Sequence, residues 1–120
     1  MTSYLIDINV WLALTWDKHA QHAAAARWYS SIDDAALLFC RFTMLGFLRL
    51  LTNRQVMGDS TATLSGALEI YDRWRQDPRV ELAVELRAAA ACIVTFDAGL
   101  AATAQFRDVP VTLIEPIGRL

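Results

Sequence analysis

Tyr4-Leu5-Ile6-Asp7-Ile8-Asn9 and, late in the chain, Ile93-Val94-Thr95-Phe96-Asp97 are each a short apolar run that closes on an aspartate. Runs of this length and composition read as strands buried in a parallel sheet. In open α/β sheets, functional groups gather just beyond the carboxyl ends of the strands. Two strands that end in Asp therefore aim two carboxylates at one crevice. Carboxylates held together repel each other and require a shared proton or a cation. A hard divalent ion such as Mg²⁺ or Mn²⁺ suits such oxygen donors.

Outward from these runs, the chain alternates strand and helix patterns. Residues 4–8 form the first strand, and residues 10–16 a short apolar helix that Asn9 is placed to cap. Asp17 is placed to cap a helix over 19–31, rich in alanine, with Ala24, Trp28 and Ile32 facing inward. Asp33-Asp34 reads as a turn and 36–41 as the second strand. Thr43 is expected to cap a helix over 44–52, with Leu45, Leu48 and Leu51 on one face. Residues 53–59 read as a loop. Ser60 or Thr61 opens a long helix whose inward stripe is Leu64, Leu68, Tyr71 and Trp74; it stops before Asp77-Pro78. Residues 80–84, 91–96 and 111–114 are the remaining strands, with a short helix over 97–106. This alternation argues an α/β fold with a mainly parallel, about five-stranded sheet.

The chain has 120 residues, 55% of them apolar, and reads as one domain, 1–120, able to bury a core without disulfides. Cys40 and Cys92 both lie in apolar runs and are expected to be reduced core residues. The apolar stretches fall well short of a membrane span, and no targeting segment precedes Asp7, which favours the cytoplasm. The net charge of −2 excludes a global basic field that would hold nucleic acid by phosphate neutralisation alone. Ten of the eleven basic residues are nevertheless Arg, the side chain that grips phosphate bidentately and stacks on bases; Lys18 is the one lysine.

The candidate site residues follow from this frame. Asp7 is either a helix N-cap or a metal ligand, and the matching Asp97 favours the second. Asn9 adds an oxygen donor nearby. Thr95 lies two residues before Asp97, where strand alternation places it on the same side as that acid, although threonine is also favoured in strands for its shape alone. Thr43 follows the second strand at the same sheet edge, as a cap or a site residue. Arg49 is either half of an ion pair or an RNA phosphate contact. His19 and His22 lack the further ligands a zinc site needs. The four tryptophans read as core. The total apolar content, Trp11, Trp16 and Phe47 included, is nevertheless expected to exceed what a small domain buries, and large exposed patches mark interfaces.

Taken together, Asp7 with Asn9-Val10-Trp11, the Cys40-Arg41-Phe42-Thr43 run followed by Gly46-Phe47-Leu48-Arg49, and Val94-Thr95-Phe96-Asp97 resemble PIN-domain proteins. The resemblance runs from residue 4 to about 116, and is nearest to the VapC-type toxins of bacterial toxin–antitoxin pairs. It implies a three-layer α/β/α sandwich and an endoribonuclease that depends on Mg²⁺ or Mn²⁺, hydrolysing RNA with a metal-activated water. It also implies a VapB-type antitoxin partner and a homodimer. Asp7 and Asp97 would hold the ion, with Thr95 or Asn9 orienting water.

Two departures weigh against full activity. The family's second acid falls near Met44 here, and methionine is a poor ligand for a hard cation. The third belongs to a helix between the third and fourth strands, and only Glu85 to Ala90 separate residue 84 from residue 91. A crossover in a parallel sheet takes about ten to twelve residues. Residues are therefore expected to be missing from this join, with a break in the backbone between 84 and 91. Two other readings stay open: a PIN-like binding protein that cuts nothing, and a haloacid-dehalogenase-like phosphohydrolase with Asp7 as nucleophile. The second wants a lysine near the phosphate, and Lys18 lies far from the strand ends in sequence.

Overall fold

A computed structural model describes residues 2–83, 91–106 and 110–115. Five parallel strands, β1 (Thr2–Ile6), β2 (Ala35–Phe39), β3 (Val80–Leu82), β4 (Ala91–Thr95) and β5 (Val111–Leu113), lie in the order β3-β2-β1-β4-β5. The helices are α1 (Ile8–Thr15), α2 (His22–Ser31), α3 (Arg41–Leu51), α4 (Arg54–Met57), α5 (Leu64–Arg75) and α6 (Ala98–Phe106). The first five follow β1 and β2, and α6 packs over β4 and β5. Chain order runs outward from β1 through β2 to β3 on one side, and through β4 to β5 on the other. Right-handed crossovers in opposite directions place the two sets of helices on opposite faces. The result is the expected three-layer α/β/α sandwich.

The strands lie where the apolar runs do, shifted towards the amino end by up to two residues. The helix ends differ more. Asp17 caps nothing: α2 begins three residues later than expected, because the His19 ring accepts the Gln21 N–H at 3.0 Å and holds a turn there. Thr63 rather than Ser60 or Thr61 caps α5, accepting the Gly66 N–H at 3.0 Å. The expected loop over 53–59 holds α4, capped by Asn53, and runs into a 3₁₀ turn at Gly58–Ser60. Gly58 has φ +55°, a backbone state that favours glycine.

Two inward stripes also shift. On α3 the buried residues are Phe47, Leu48 and Leu51, with Met44 packed beside them, which keeps the three–four spacing; Leu45 lies one position off it and is 56% exposed. On α5 the buried residues are Ala67 and Tyr71, with Ile70 and Trp74 against the core. Leu64 and Leu68 stay exposed because they lie one position off the stripe that Ala67, Ile70, Tyr71 and Trp74 turn inward. Trp11 and Phe47, expected to contribute to a surplus apolar surface, are fully buried, and Trp16 packs against the core. The exposed large apolar residues on this side are instead Phe42, Leu45, Val56, Leu64 and Leu68. Gly46 brings α3 close to α1: a Cβ there would clash with the Ile8 side chain. Cys40 and Cys92 are free thiols; Cys40 is buried and Cys92 half-buried.

The junction of α2, α5 and β3 is tied by one carboxylate. Asp77 accepts the Tyr29 hydroxyl, the Arg79 backbone N–H at 2.9 Å, and the Arg79 guanidinium through Nε and Nη2. Arg79 also donates to the Ile32 carbonyl and lies over the Tyr29 ring. These bonds from Arg79, aided by Tyr29 and opposed by burial, hold the Asp77 carboxyl well below the usual carboxylate range. Its folded pKa is thus below its unfolded one, so the stabilisation is present above the unfolded value of about 3.9 and is lost as pH falls below it. Asp77→Asn is expected to cost about 1–3 kcal/mol at pH 7. In urea unfolding the gap to the parent should narrow between pH 5 and pH 3.

The third and fourth strands, which sequence spacing treats as neighbours, stand at positions separated by β2 and β1. The lateral step between them is about 14 Å at ~4.8 Å per strand. The eight residues between Leu82 and Ala91 reach at most ~29 Å. The chain must also return by three residues, about 10 Å, towards the amino edge and pass over the sheet face, and the number stays below that of an ordinary helical crossover. The expected backbone break and third acid fall on 84–90, outside the described residues.

Candidate active site

The sheet order creates the site. Connections leave β1 and β4, adjacent strands, towards opposite faces of the sheet, and a crevice opens where they part. Asp7 and Asp97 stand at its two lips. The Asp7 N–H continues the β1–β4 ladder by donating to the Val94 carbonyl at 2.9 Å. Its carboxylate Oδ1 accepts the Ile8 N–H at 2.8 Å, so Asp7 is also the N-cap of α1. Asp97 does the same for α6: its Oδ1 accepts the Leu100 N–H at 3.1 Å. Capping leaves room for a site role in both residues, because a carboxylate has more acceptor positions than a cap consumes.

Thr95 joins the two. Its hydroxyl, fully buried, donates to Asp7 Oδ2 at 2.8 Å and accepts the Asp97 backbone N–H at 3.0 Å. One hydroxyl thus stands between the Asp7 carboxylate and the Asp97 backbone. Asp7 is half-buried and Asp97 exposed, so the pair opens to solvent. Among the described residues neither carboxylate has an ion-pair partner. Within the described residues the Asp7 carboxylate therefore meets hydrogen-bond donors but no cation.

The remaining candidates separate. Asn9 is exposed in the first turn of α1, close in sequence to Asp7 and without a hydrogen bond among the described residues. Thr43 is spent on the start of α3: its hydroxyl accepts the Cys40 N–H at 2.8 Å and bonds back to the Cys40 carbonyl at 3.0 Å. It is the fourth member of a capping box, with Cys40 as N-cap, rather than the cap itself. Arg49 is exposed in the last turn of α3, roughly 12 Å along the helix from Arg41 at the sheet edge. The structure does not bring it to the carboxylates.

Two rings close to Asp97 in the chain or in space are not read as site residues from sequence, where His19 is weighed only for zinc. Phe96, between Thr95 and Asp97, packs half-buried against the core, and the His19 ring lies near-parallel to it at 20°, with centroids 6.3 Å apart. The Trp16 edge meets His19 from the side. His22 is tied to the Ala13 carbonyl at 2.6 Å. Burial, and secondarily His22, hold the His19 imidazole below the ordinary histidine range. His19 and Phe96 are far apart in sequence, so nothing local announces that their rings meet.

The donor set fits a hard divalent cation held largely by water. Two carboxylates with free oxygen positions and no ion-pair partner among the described residues suit Mg²⁺, which keeps several waters and needs one or two carboxylates. Among the described residues, no group of three or more His, Cys, Asp or Glu converges. A closed protein cage, or a pair of ions each with its own acids, does not fit them.

The PIN-domain family model matches residues 4–112. Among similar proteins of Mycobacterium tuberculosis, Ribonuclease VapC41 is 39% identical over 83 residues, covering 66% of this chain and 57% of its own length. Ribonuclease VapC39 is 40% identical over 57 residues, covering 48% of this chain and 41% of its own. The chain thus spans about half the length of these curated relatives. Ribonuclease VapC38 is 26% identical over 136 residues, covering 92% of this chain and 96% of its own length. That alignment is longer than this chain, so VapC38 carries positions that have no counterpart here.

Proposed function

Because the chain belongs to the PIN-domain family, we propose that it is a metal-dependent endoribonuclease toxin of a toxin–antitoxin pair, acting in the cytoplasm. The observation that carries this is the Asp7–Thr95–Asp97 constellation at the β1–β4 switch point, open to solvent and without an ion-pair partner among the described residues. The names of VapC41, VapC39 and VapC38 support the reaction class. Asp7 and Asp97 would hold Mg²⁺ or Mn²⁺. When bound, the ion would supply Lewis-acid polarisation of the phosphodiester and offset its charge. The protein's own part is positioning. The Ile8 N–H and the Thr95 hydroxyl fix the Asp7 carboxylate on both oxygens, and the Leu100 N–H fixes one oxygen of Asp97. Asn9, exposed in the first turn of α1, would orient water or substrate.

The proposal includes a VapB-type antitoxin and a homodimer. Support comes from Phe42 and Leu45 on α3 and Leu64 and Leu68 on α5, exposed apolar residues on two helices packed together. No helix among the described residues is long and apolar enough to cross a membrane.

Cleavage of RNA by the purified protein should require Mg²⁺ or Mn²⁺ and cease with a chelator. Thr95→Val keeps the side-chain shape but removes the hydroxyl. It should lower cleavage by roughly 10- to 100-fold, as loss of a partner that orients a ligand does, and Thr95→Ser should recover most of it. Cleavage that ignores the chelator would overturn the reading. A second reading, a binding protein without catalysis, is favoured by the absence of a third converging acid among the described residues. A chain that binds antitoxin but leaves RNA intact at every metal concentration would establish it. The phosphohydrolase reading has no support: Lys18 is exposed in the turn after α1 and has no contact with Asp7.

A further inference from the structure

The turn between α1 and α2 is held in an unusually determined way for a surface connection. The Trp16 N–H donates to Leu12, the His19 N–H to Trp16 and the His22 N–H to His19. The His19 Nδ1 accepts the Gln21 N–H at 3.0 Å, which fixes the plane of the imidazole. That plane lies 20° from the Phe96 ring. Two rings with centroids 6.3 Å apart cannot cover each other's faces. In van der Waals contact at ~3.5 Å they are offset sideways by about 5 Å, and overlap at their edges alone. Both are half-buried rather than closed over. The two rings therefore form a step of flat aromatic surface. It begins at Phe96, the residue directly before Asp97, and rises to His19.

Holding the turn uses the His19 Nδ1 and leaves the faces of the ring to other contacts. Phe96 directly precedes Asp97, so the step offers a planar ligand a surface near that residue. Unpaired bases of single-stranded RNA are recognised by stacking on aromatic side chains, His included, irrespective of base identity.

We infer that the His19–Phe96 step is a stacking platform for an unpaired RNA base flanking the phosphodiester that would be cut beside Asp7 and Asp97. The inference rests on the ribonuclease reading for its substrate, and it makes His19 a positioning residue. The cleaved RNA would then need at least one unstacked nucleotide at the scissile position, in a loop, bulge or single strand.

The test uses the full chain carrying Asp7→Asn, so that binding is read without cleavage, and a short single-stranded RNA with 2-aminopurine in place of one base. Stacking should quench the 2-aminopurine fluorescence on binding. His19→Ala should weaken binding about tenfold, within the range for loss of one base–aromatic stack, and should abolish the quench. His19→Phe should restore both, which a role in folding the turn or in donating a hydrogen bond would not predict. If the alanine variant melts below the assay temperature, His19→Gln, which keeps a polar side chain but no ring, carries the same comparison. Unchanged affinity and quench in the ring-less variants, or failure of His19→Phe to restore them, would overturn the platform. If the chain with native Asp7 cuts RNA while the ring-less variants bind as the parent does, the platform falls and the ribonuclease stands. If it cuts nothing, yet the quench and its loss in His19→Ala are seen, the platform stands and the ribonuclease falls.

Discussion

Replacing Asp7 by Asn is expected to lower RNA cleavage by at least about 100-fold while leaving the chain folded. Removing groups that merely orient a metal ligand costs about 10- to 100-fold, and Asp7→Asn withdraws a charge from the ligand itself. The fold should survive because the amide can reproduce the carboxylate's structural bonds. Its oxygen can still accept the Ile8 N–H, and its NH₂ can donate to the Thr95 hydroxyl, which has a spare lone pair beside the one that receives the Asp97 N–H. The measurement is a time course on a fluorogenic RNA with Mg²⁺ or Mn²⁺, alongside thermal melts of both proteins. Undiminished cleavage by the variant would sink the carboxylate mechanism. An unfolded variant would show that the N-cap of α1 outweighs the site role, and Asp97→Asn would then carry the test.

The largest effect on stability is expected at Trp11. It is fully buried, stacks on Phe39 with centroids 4.0 Å apart at 7°, and meets the edge of Trp74 at 5.3 Å. Phe39 continues the cluster to Phe47 and Tyr71, so one side chain joins β2, α1, α3 and α5. Trp11→Ala is expected to cost about 3–5 kcal/mol, the range for deleting a large aromatic from a core. Trp11→Phe should cost much less. It keeps an aromatic ring against Phe39, and it removes an indole N–H that has no hydrogen-bond partner among the described residues. Urea midpoints of the two variants against the parent decide the matter. Equal losses would mean that the indole N–H is satisfied after all.

Much of the α/β frame was legible because strand and helix signals are local. The run Leu5-Ile6, the run Leu37-Leu38-Phe39 and the run Ile93-Val94 announce strands by composition alone. Ala24, Trp28 and Ile32 announced the inward face of α2 by their spacing. Where local reading failed, a competing contact was responsible. Asp17 was a plausible cap, but the His19 ring holds the turn through Gln21 and delays α2. Thr43 looked like a cap and is the reciprocal member of one, because the Cys40 N–H takes its hydroxyl. Leu45 and Leu64 satisfy helical spacing, yet burial depends on whether another element lies opposite, which spacing does not encode.

The sequence by itself determined that two aspartates end two strands and that the strands run parallel, since apolar runs joined by helical stretches leave few other arrangements. Only the tertiary structure decided that these strands are neighbours. Nothing local to Asp7 or Asp97 specifies the order β3-β2-β1-β4-β5, which is settled by backbone pairing between segments far apart in the chain. The same pairing lets the Thr95 hydroxyl reach Asp7 across 88 positions and lays His19 beside Phe96. It also leaves Arg49 in the last turn of α3, away from the crevice. Residue types announce which chemistry is possible; long-range hydrogen bonding and core packing select which of those residues meet.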